Sequence, residues 1–211
     1  MALRVLFYGD SNTWGYIRGG DRYPPEVRFP TLAVASLPDT YALEEGLNGR
    51  NCAFSHPLCD ANLLGGATFA SVFQKALPVD VLCLMLGTND ALPPLYRSAS
   101  DIASDLRQII RCAKKLADRV HILLIAPVPI NTTYLSELEE EMGACSALRP
   151  EPLAPALRAL AAEESVDFLD AGERIAEADG GDGVHLSEHA HAQIAECVRA
   201  YLAQLPMRTN P

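Results

Sequence analysis

The sequence predicts a three-layer α/β domain in which helices cover both faces of a parallel sheet. The apolar runs at 4–8, 79–86 and 120–126 are too continuous for strands with one wet face. Strand-like and helix-like segments alternate through the chain, the pattern of right-handed crossovers. Five strand candidates are too few for an eightfold βα barrel.

In chain order, the first strand occupies 4–8, and a helix is expected near 31–37. A weaker strand at 41–45 precedes a helix at 66–77 and the apolar strand at 79–86. The next helix, 98–116, places Ile102, Leu106, Ile109, Ile110, Ala113 and Leu116 on one stripe, and Ser98-x-x-Asp101 suits its start. The strand at 120–126 is followed by a helix at 152–164 and a second weak strand at 166–169. A last helix, 187–205, repeats Ile194, Val198, Tyr201, Leu202 and Leu205 at three- to four-residue spacing. The irregular segments 12–30 and 47–65 both follow strands. Ligands in open α/β sheets sit at strand C-terminal ends, so these loops are expected to wall a pocket. Within 127–152, the acidic run Glu137-Leu138-Glu139-Glu140-Glu141 reads as a solvated helix or a lid.

With 211 residues, the chain has the size of one core, and a single domain over 1–211 is expected. The net charge of −10 repels phosphate backbones and argues against nucleic acid as a partner. No apolar run reaches bilayer-spanning length, which argues against a membrane-spanning protein. The N-terminus reads as a strand rather than a signal peptide. Six dispersed cysteines, at 52, 59, 83, 112, 145 and 197, fit reduced thiols in the cytoplasm, most of them small apolar fillers.

Four short blocks carry candidate chemistry. Gly9-Asp10-Ser11-Asn12-Thr13 ends the first strand and offers a serine hydroxyl to a crevice, although Gly-Asp-Ser is equally a turn or cap sequence. It is neither a Gly-x-Ser-x-Gly elbow nor a phosphate loop, and no dinucleotide fingerprint is present. Asp182-Gly183-Val184-His185 precedes the last helix. An aspartate three residues before a histidine can fix the imidazole tautomer and steady the imidazolium without changing protonation itself. Leu86-Gly87-Thr88-Asn89-Asp90 ends the third strand: Asn89 has an amide to donate to an oxyanion, and Asp90 can brace the loop by accepting backbone N–H groups, or the block is an Asx turn. Glu45-Gly46-Leu47-Asn48-Gly49-Arg50 ends the second strand and can bring the Gly49 N–H to the same point, unless Gly49 serves backbone conformation alone.

Together these blocks resemble the SGNH hydrolase, or GDSL-type esterase/lipase, superfamily over nearly the whole chain and in the right order. The resemblance implies a flavodoxin-like fold with a five-stranded parallel sheet in order 2-1-3-4-5. It also implies a serine esterase that uses no metal or other cofactor. Ser11 would be the nucleophile, His185 the base and Asp182 its orienting partner, with Ser11, Gly49 and Asn89 forming the oxyanion hole and Asp10 and Asp90 in support. A closer similarity is to bacterial arylesterases and acyltransferases, carried by the run from Gly9 to Tyr16, Arg22-Tyr23-Pro24, Arg28-Phe29-Pro30 and the block from Glu44 to Arg50. That group commonly has leucine after the nucleophile, where this chain has Asn12. The similarity implies a small-molecule ester substrate, water or an alcohol as acyl acceptor, and a homo-oligomer.

Asn12 and Trp14, the single tryptophan, are expected to line the substrate pocket, with a structural aromatic as the other reading of Trp14. Arg50 is expected either to pair with Asp10 or another loop carboxylate or to face solvent. Carbohydrate O-deacetylation by the same triad is the alternative within ester chemistry. Outside it, His185-Leu186-Ser187-Glu188-His189 matches the inverted zincin pattern, with Asp182 and His191 nearby, but Ser187 reads as a helix cap that would break the ligand face. A non-catalytic binding module would lack a nucleophile, base or oxyanion donor, and all three are present.

Overall fold

The computed structural model describes residues 2–141 and 150–205. Five strands, β1 (Leu3–Gly9), β2 (Thr40–Gly46), β3 (Val81–Met85), β4 (His121–Ala126) and β5 (Asp167–Asp170), form one sheet in the order β2-β1-β3-β4-β5. Every neighbouring pair is parallel. The predicted fold class and strand order are therefore the observed ones.

The pleat divides the apolar runs between two cores. Leu6, Tyr8, Leu82, Leu84, Ile122 and Leu124 face one way, onto α3 (Gly65–Ala76), α5 (Ala99–Leu116) and α7 (Ala154–Glu164). Val5, Phe7, Val81, Cys83, Leu123 and Ile125 face the other way, onto α2 (Phe29–Val34) and α8 (Glu188–Leu202). Side chains alternate with period two along a strand, so burial on both faces is what removes polar residues from these runs.

Element ends moved for local reasons. The helix expected at 31–37 begins at Phe29, because Pro30 in the first turn needs no N–H partner. The Ser98 hydroxyl caps α5 by accepting the Asp101 N–H at 3.1 Å, and Ser187 caps α8 by accepting the Ala190 N–H at 3.2 Å. The last helix stops at Leu202, short of the expected 205. Two short helices, α1 (Ser11–Trp14) and α4 (Thr88–Ala91), went unread in sequence, whereas α6 (Leu135–Glu141) falls on the run expected to be a solvated helix or a lid. The acidic run forms most of α6, which turns Leu135 and Leu138 inward at i, i+3 spacing.

Among the described residues, no helix is long and apolar enough to cross a membrane. Cys52, Cys59, Cys83, Cys112 and Cys197 are free thiols, and Cys145 lies outside the described residues. Cys52 does more than fill space, since its thiol contacts Asp90 Oδ1 at 3.2 Å.

Candidate active site

Ser11 is positioned by the end of the sheet's second strand from the edge. β1 runs to Gly9, Asp10 stays extended as a cap, and its Oδ1 accepts the Asn12 N–H at 2.9 Å, so the chain turns at once into α1. This turn lies on β2, where a Cβ added to Gly46 would stand 2.2 Å from the Trp14 nitrogen. Only glycine permits that approach. Asp10 is buried, and burial pushes its carboxyl up to about 6 despite the opposing Asn12 N–H and His185 ring.

Arg50 departs from expectation. It is buried, neither paired with Asp10 nor facing solvent. Its Nη1 donates to the Gly9 carbonyl at 2.8 Å and also to the Glu45 carbonyl, and its guanidinium lies 4.2 Å from the Tyr8 ring centroid. It thus joins the ends of β1 and β2 beneath the nucleophile turn.

Asp182 and His185 lie in the irregular connection from β5 to α8. His185 Nδ1 is 2.7 Å from Asp182 Oδ2, and His185 Nε2 is 3.0 Å from Ser11 Oγ. Asp182 Oδ1 accepts the N–H groups of Val184 at 3.0 Å and His185 at 2.9 Å. Partial burial alone would raise the Asp182 carboxyl, but the His185 ring and these N–H groups outweigh it and hold it down at about 2. Asp182 therefore stays ionised while it orients the imidazole. Tyr16 covers that imidazole, with ring centroids 4.3 Å apart and planes tilted by 36°.

Asn89 and Gly49 converge on the same opening. Asn89 Nδ2 donates one hydrogen to the Arg50 carbonyl at 2.9 Å, which fixes the amide and leaves its second hydrogen for another acceptor. Gly49 holds φ at +78°, a conformation that favours glycine. Asp90, fully buried in α4, accepts the Cys52 N–H at 2.9 Å and pairs with Arg97 at 2.7 Å. It ties the 49–52 loop to α4.

Ser11, Gly49, Asn89, Asp182 and His185 share a cleft of about 470 Å³ whose other walls are Tyr16, Asn48, Leu92, Leu138 and Val184, with exposed Arg18, Gly19 and Glu141. Asn12 and Trp14 are not among its lining residues. Asn12 is buried and bonded to the backbone at Val184 and Leu186. Trp14 packs under Arg22, whose guanidinium carbon is 5.0 Å from the ring centroid. The wall expected of Trp14 is supplied by Tyr16, two residues on, because the tight α1 turn carries Trp14 towards β2. Leu138 and Glu141 make the acidic helix a cleft wall as well as a solvated surface. In sequence the run reads as a solvated helix or a lid, and the i, i+3 spacing of Leu135 and Leu138 is the signal for the face it turns inward.

The imidazoles of the zincin-like motif do not share a task. His185 is engaged by Asp182 and Ser11, His189 is exposed, and buried His191 accepts the Phe29 N–H at 3.3 Å through Nδ1. The described residues hold no cluster of three or more His, Cys, Asp or Glu side chains arranged for a metal ion.

A serine, an imidazole and an ionised carboxylate linked in that order, beside fixed amide donors at the C-terminal ends of a parallel sheet, define a serine-type ester hydrolase. Comparison with known proteins agrees: the chain belongs to the GDSL-like Lipase/Acylhydrolase family, which matches residues 7–193. Among solved structures it is similar to Est24, a carbohydrate acetylesterase from Sinorhizobium meliloti, at 28% identity and a TM-score of 0.79 over 95% of this chain and 98% of that one. It is also similar to the inhibitor-bound aryl esterase of M. smegmatis, at 26% identity and a TM-score of 0.81 over 97% of this chain and 100% of that one. No curated protein matches the sequence.

Proposed function

We propose that this esterase hydrolyses short-chain acyl or aryl esters through an acyl-enzyme on Ser11. One observation carries the reading: the unbroken Asp182–His185–Ser11 chain opens into the cleft that also holds Gly49 and Asn89. Ser11 Oγ attacks the ester carbonyl as its proton passes to His185 Nε2. The imidazolium, steadied by Asp182, then gives that proton to the leaving alcohol oxygen as the C–O bond breaks. The tetrahedral oxyanion is met by the Ser11 and Gly49 N–H groups and the free hydrogen of Asn89. Each such donor contributes about 3 kcal/mol to the transition state. Water, activated by His185, releases the acid and restores Ser11. An alcohol arriving first takes the acyl group in the same way and gives a new ester.

Carbohydrate O-deacetylation is the second reading. Tyr16 offers a ring face, and Arg18, Asn48 and Glu141 offer hydrogen-bonding groups to a sugar in the same cleft, while the similarity to a carbohydrate acetylesterase supports this substrate class. The discriminating experiment assays p-nitrophenyl esters of graded chain length beside acetylated sugars, with Ser11→Ala as the control. Preference for the short aryl esters supports the first reading, and preference for acetylated sugars the second. Retained turnover in Ser11→Ala rejects both. Raising the alcohol concentration tests transfer, which predicts ester formed at the expense of acid.

Two further properties belong to this proposal: a cytoplasmic location, supported by the dispersed free thiols, and a homo-oligomeric state, which light scattering of the purified protein reads directly.

A further inference from the structure

We propose that Asn12 is a positioning residue that locks the base-bearing loop onto the nucleophile turn. The inference rests on the proposed roles of Ser11 and His185. Asn12 is 5% exposed and stands directly after Ser11. Its Nδ2 donates to the Val184 carbonyl at 3.1 Å, and its Oδ1 accepts the Leu186 N–H at 3.1 Å. A single side-chain amide therefore pairs with the backbone on both sides of His185, as the main chain of a neighbouring strand would. The Asn12 backbone is itself held, since its N–H donates to Asp10 Oδ1 at 2.9 Å.

The rest of the loop is tied elsewhere. Asp182 caps Val184 and His185 from within the loop, and Gly180 donates to the His185 carbonyl at 2.8 Å. Outside contacts run to the segment after β4, where Asn131 donates to the Gly183 carbonyl at 2.9 Å and Ala178 to the Pro129 carbonyl at 2.8 Å. Arg18 reaches the Gly181 carbonyl from the exposed 16–22 hairpin. Among the described residues, Asn12 is the hydrogen-bonded link from α1 to this loop other than the Ser11–His185 pair itself. A reacting pair held only by its own 3.0 Å contact would drift whenever Ser11 is acylated and that contact is lost. The Asn12 bonds persist through that stage, so His185 stays in place to activate the deacylating water. Val184 also lines the cleft, so the amide fixes one apolar wall together with the base.

The test compares wild type with Asn12→Leu, which keeps the bulk and removes both bonds, and with Asn12→Asp, which keeps an acceptor for Leu186 and removes the donor to Val184. Steady-state kinetics on p-nitrophenyl acetate and the inactivation rate by a fluorophosphonate are measured well below each variant's thermal midpoint. For Asn12→Leu, kcat is expected to fall about 10- to 100-fold with KM changed less than about threefold, and inactivation to slow in parallel, as sub-ångström to ångström misplacement of a base predicts. Asn12→Asp is expected to lose about tenfold in both rates, and it decides the matter if the leucine variant does not fold. A lowered thermal midpoint with wild-type kcat and inactivation rate would overturn the proposal and leave Asn12 as packing. Ser11→Ala, run alongside, separates the two claims: its inactivity together with fully active Asn12 variants defeats only the positioning role, whereas its activity defeats the acyl-enzyme reading.

Discussion

The nucleophile and the base of this site are held in opposite ways. Ser11 follows the buried strand β1 by two residues, and its turn is capped by the buried Asp10 and packed closely on Gly46. His185 sits in the connection 171–187, a stretch of turns and bends outside any strand or long helix. Backbone ladders place the serine. The histidine has no such ladder and is placed by the Asp182 and Asn12 side chains together with scattered backbone bonds such as Gly180 to the His185 carbonyl. The serine side should therefore fail by losing structure, and the histidine side by losing alignment within an intact fold.

The largest effects remove the chemistry itself. Ser11→Ala and His185→Ala should each lower kcat by about 10⁴- to 10⁶-fold, and the double variant by little more, because the pair acts as one unit. Circular dichroism should show both single variants folded. Additive losses in the double variant would mean that the two residues serve separate steps.

Asn89→Ala probes a donor supplied from a third strand end. The expected loss is about 10²- to 10³-fold in kcat with KM nearly unchanged, since an oxyanion forms only in the transition state. A rise in KM at constant kcat would make Asn89 a substrate-binding group.

Gly46→Ala tests the close packing under the nucleophile. Its new Cβ would meet the Trp14 nitrogen at 2.2 Å. Backbone must move, at a cost of about 1–3 kcal/mol or more, read as a lowered thermal midpoint. An unchanged midpoint would show that the β1–α1 turn is not clamped by β2.

The smallest effect contrasts the two carboxylates. Asp182 is held at about 2 against an ordinary 3.8, so the stability it contributes is present above pH 4 and is lost as pH falls through 2. Its partial exposure limits that contribution to about 1–2 kcal/mol. Asp10 is raised from 3.8 to about 6, so its contribution is full below pH 4 and is lost as pH rises through 6, by at most about 3 kcal/mol. Buried His191, lowered to about 4 by burial and Arg28, works against Asp10 over the same window, because its neutral form loses stability as pH falls below 6.5. The readout is therefore the difference between wild type and Asp10→Asn in urea melts. Asp10→Asn should gain on wild type as pH rises from 4 to 6, and a constant difference would deny the raised carboxyl.

The same division explains what could be read from sequence. Strand ends are local: the apolar runs and the glycines at 9, 46, 49 and 87 marked where Ser11, Gly49 and Asn89 emerge, and Asp182 and His185 are near enough in sequence to be paired on spacing. Contacts that cross the chain left no such mark. Asn12 meets Val184 and Leu186 through long-range bonds that no periodicity encodes. Arg50 is read as a surface or loop-pairing residue until β1 and β2 are seen to end side by side. Trp14 and Tyr16 are equally aromatic, and only the handedness of a four-residue turn sends one under Arg22 and the other over His185.

The central claim is that the sheet-held serine becomes acylated and the loop-held histidine drives both halves of the cycle. Rapid mixing with p-nitrophenyl acetate, followed by acid quench and peptide mass analysis, examines it directly. A burst of p-nitrophenol equal to the enzyme concentration is expected where deacylation is the slower half, with an acetyl group on the peptide containing Ser11 and none in Ser11→Ala. Full steady-state turnover with the acetyl group on another residue, or with Ser11→Ala equally active, would contradict it.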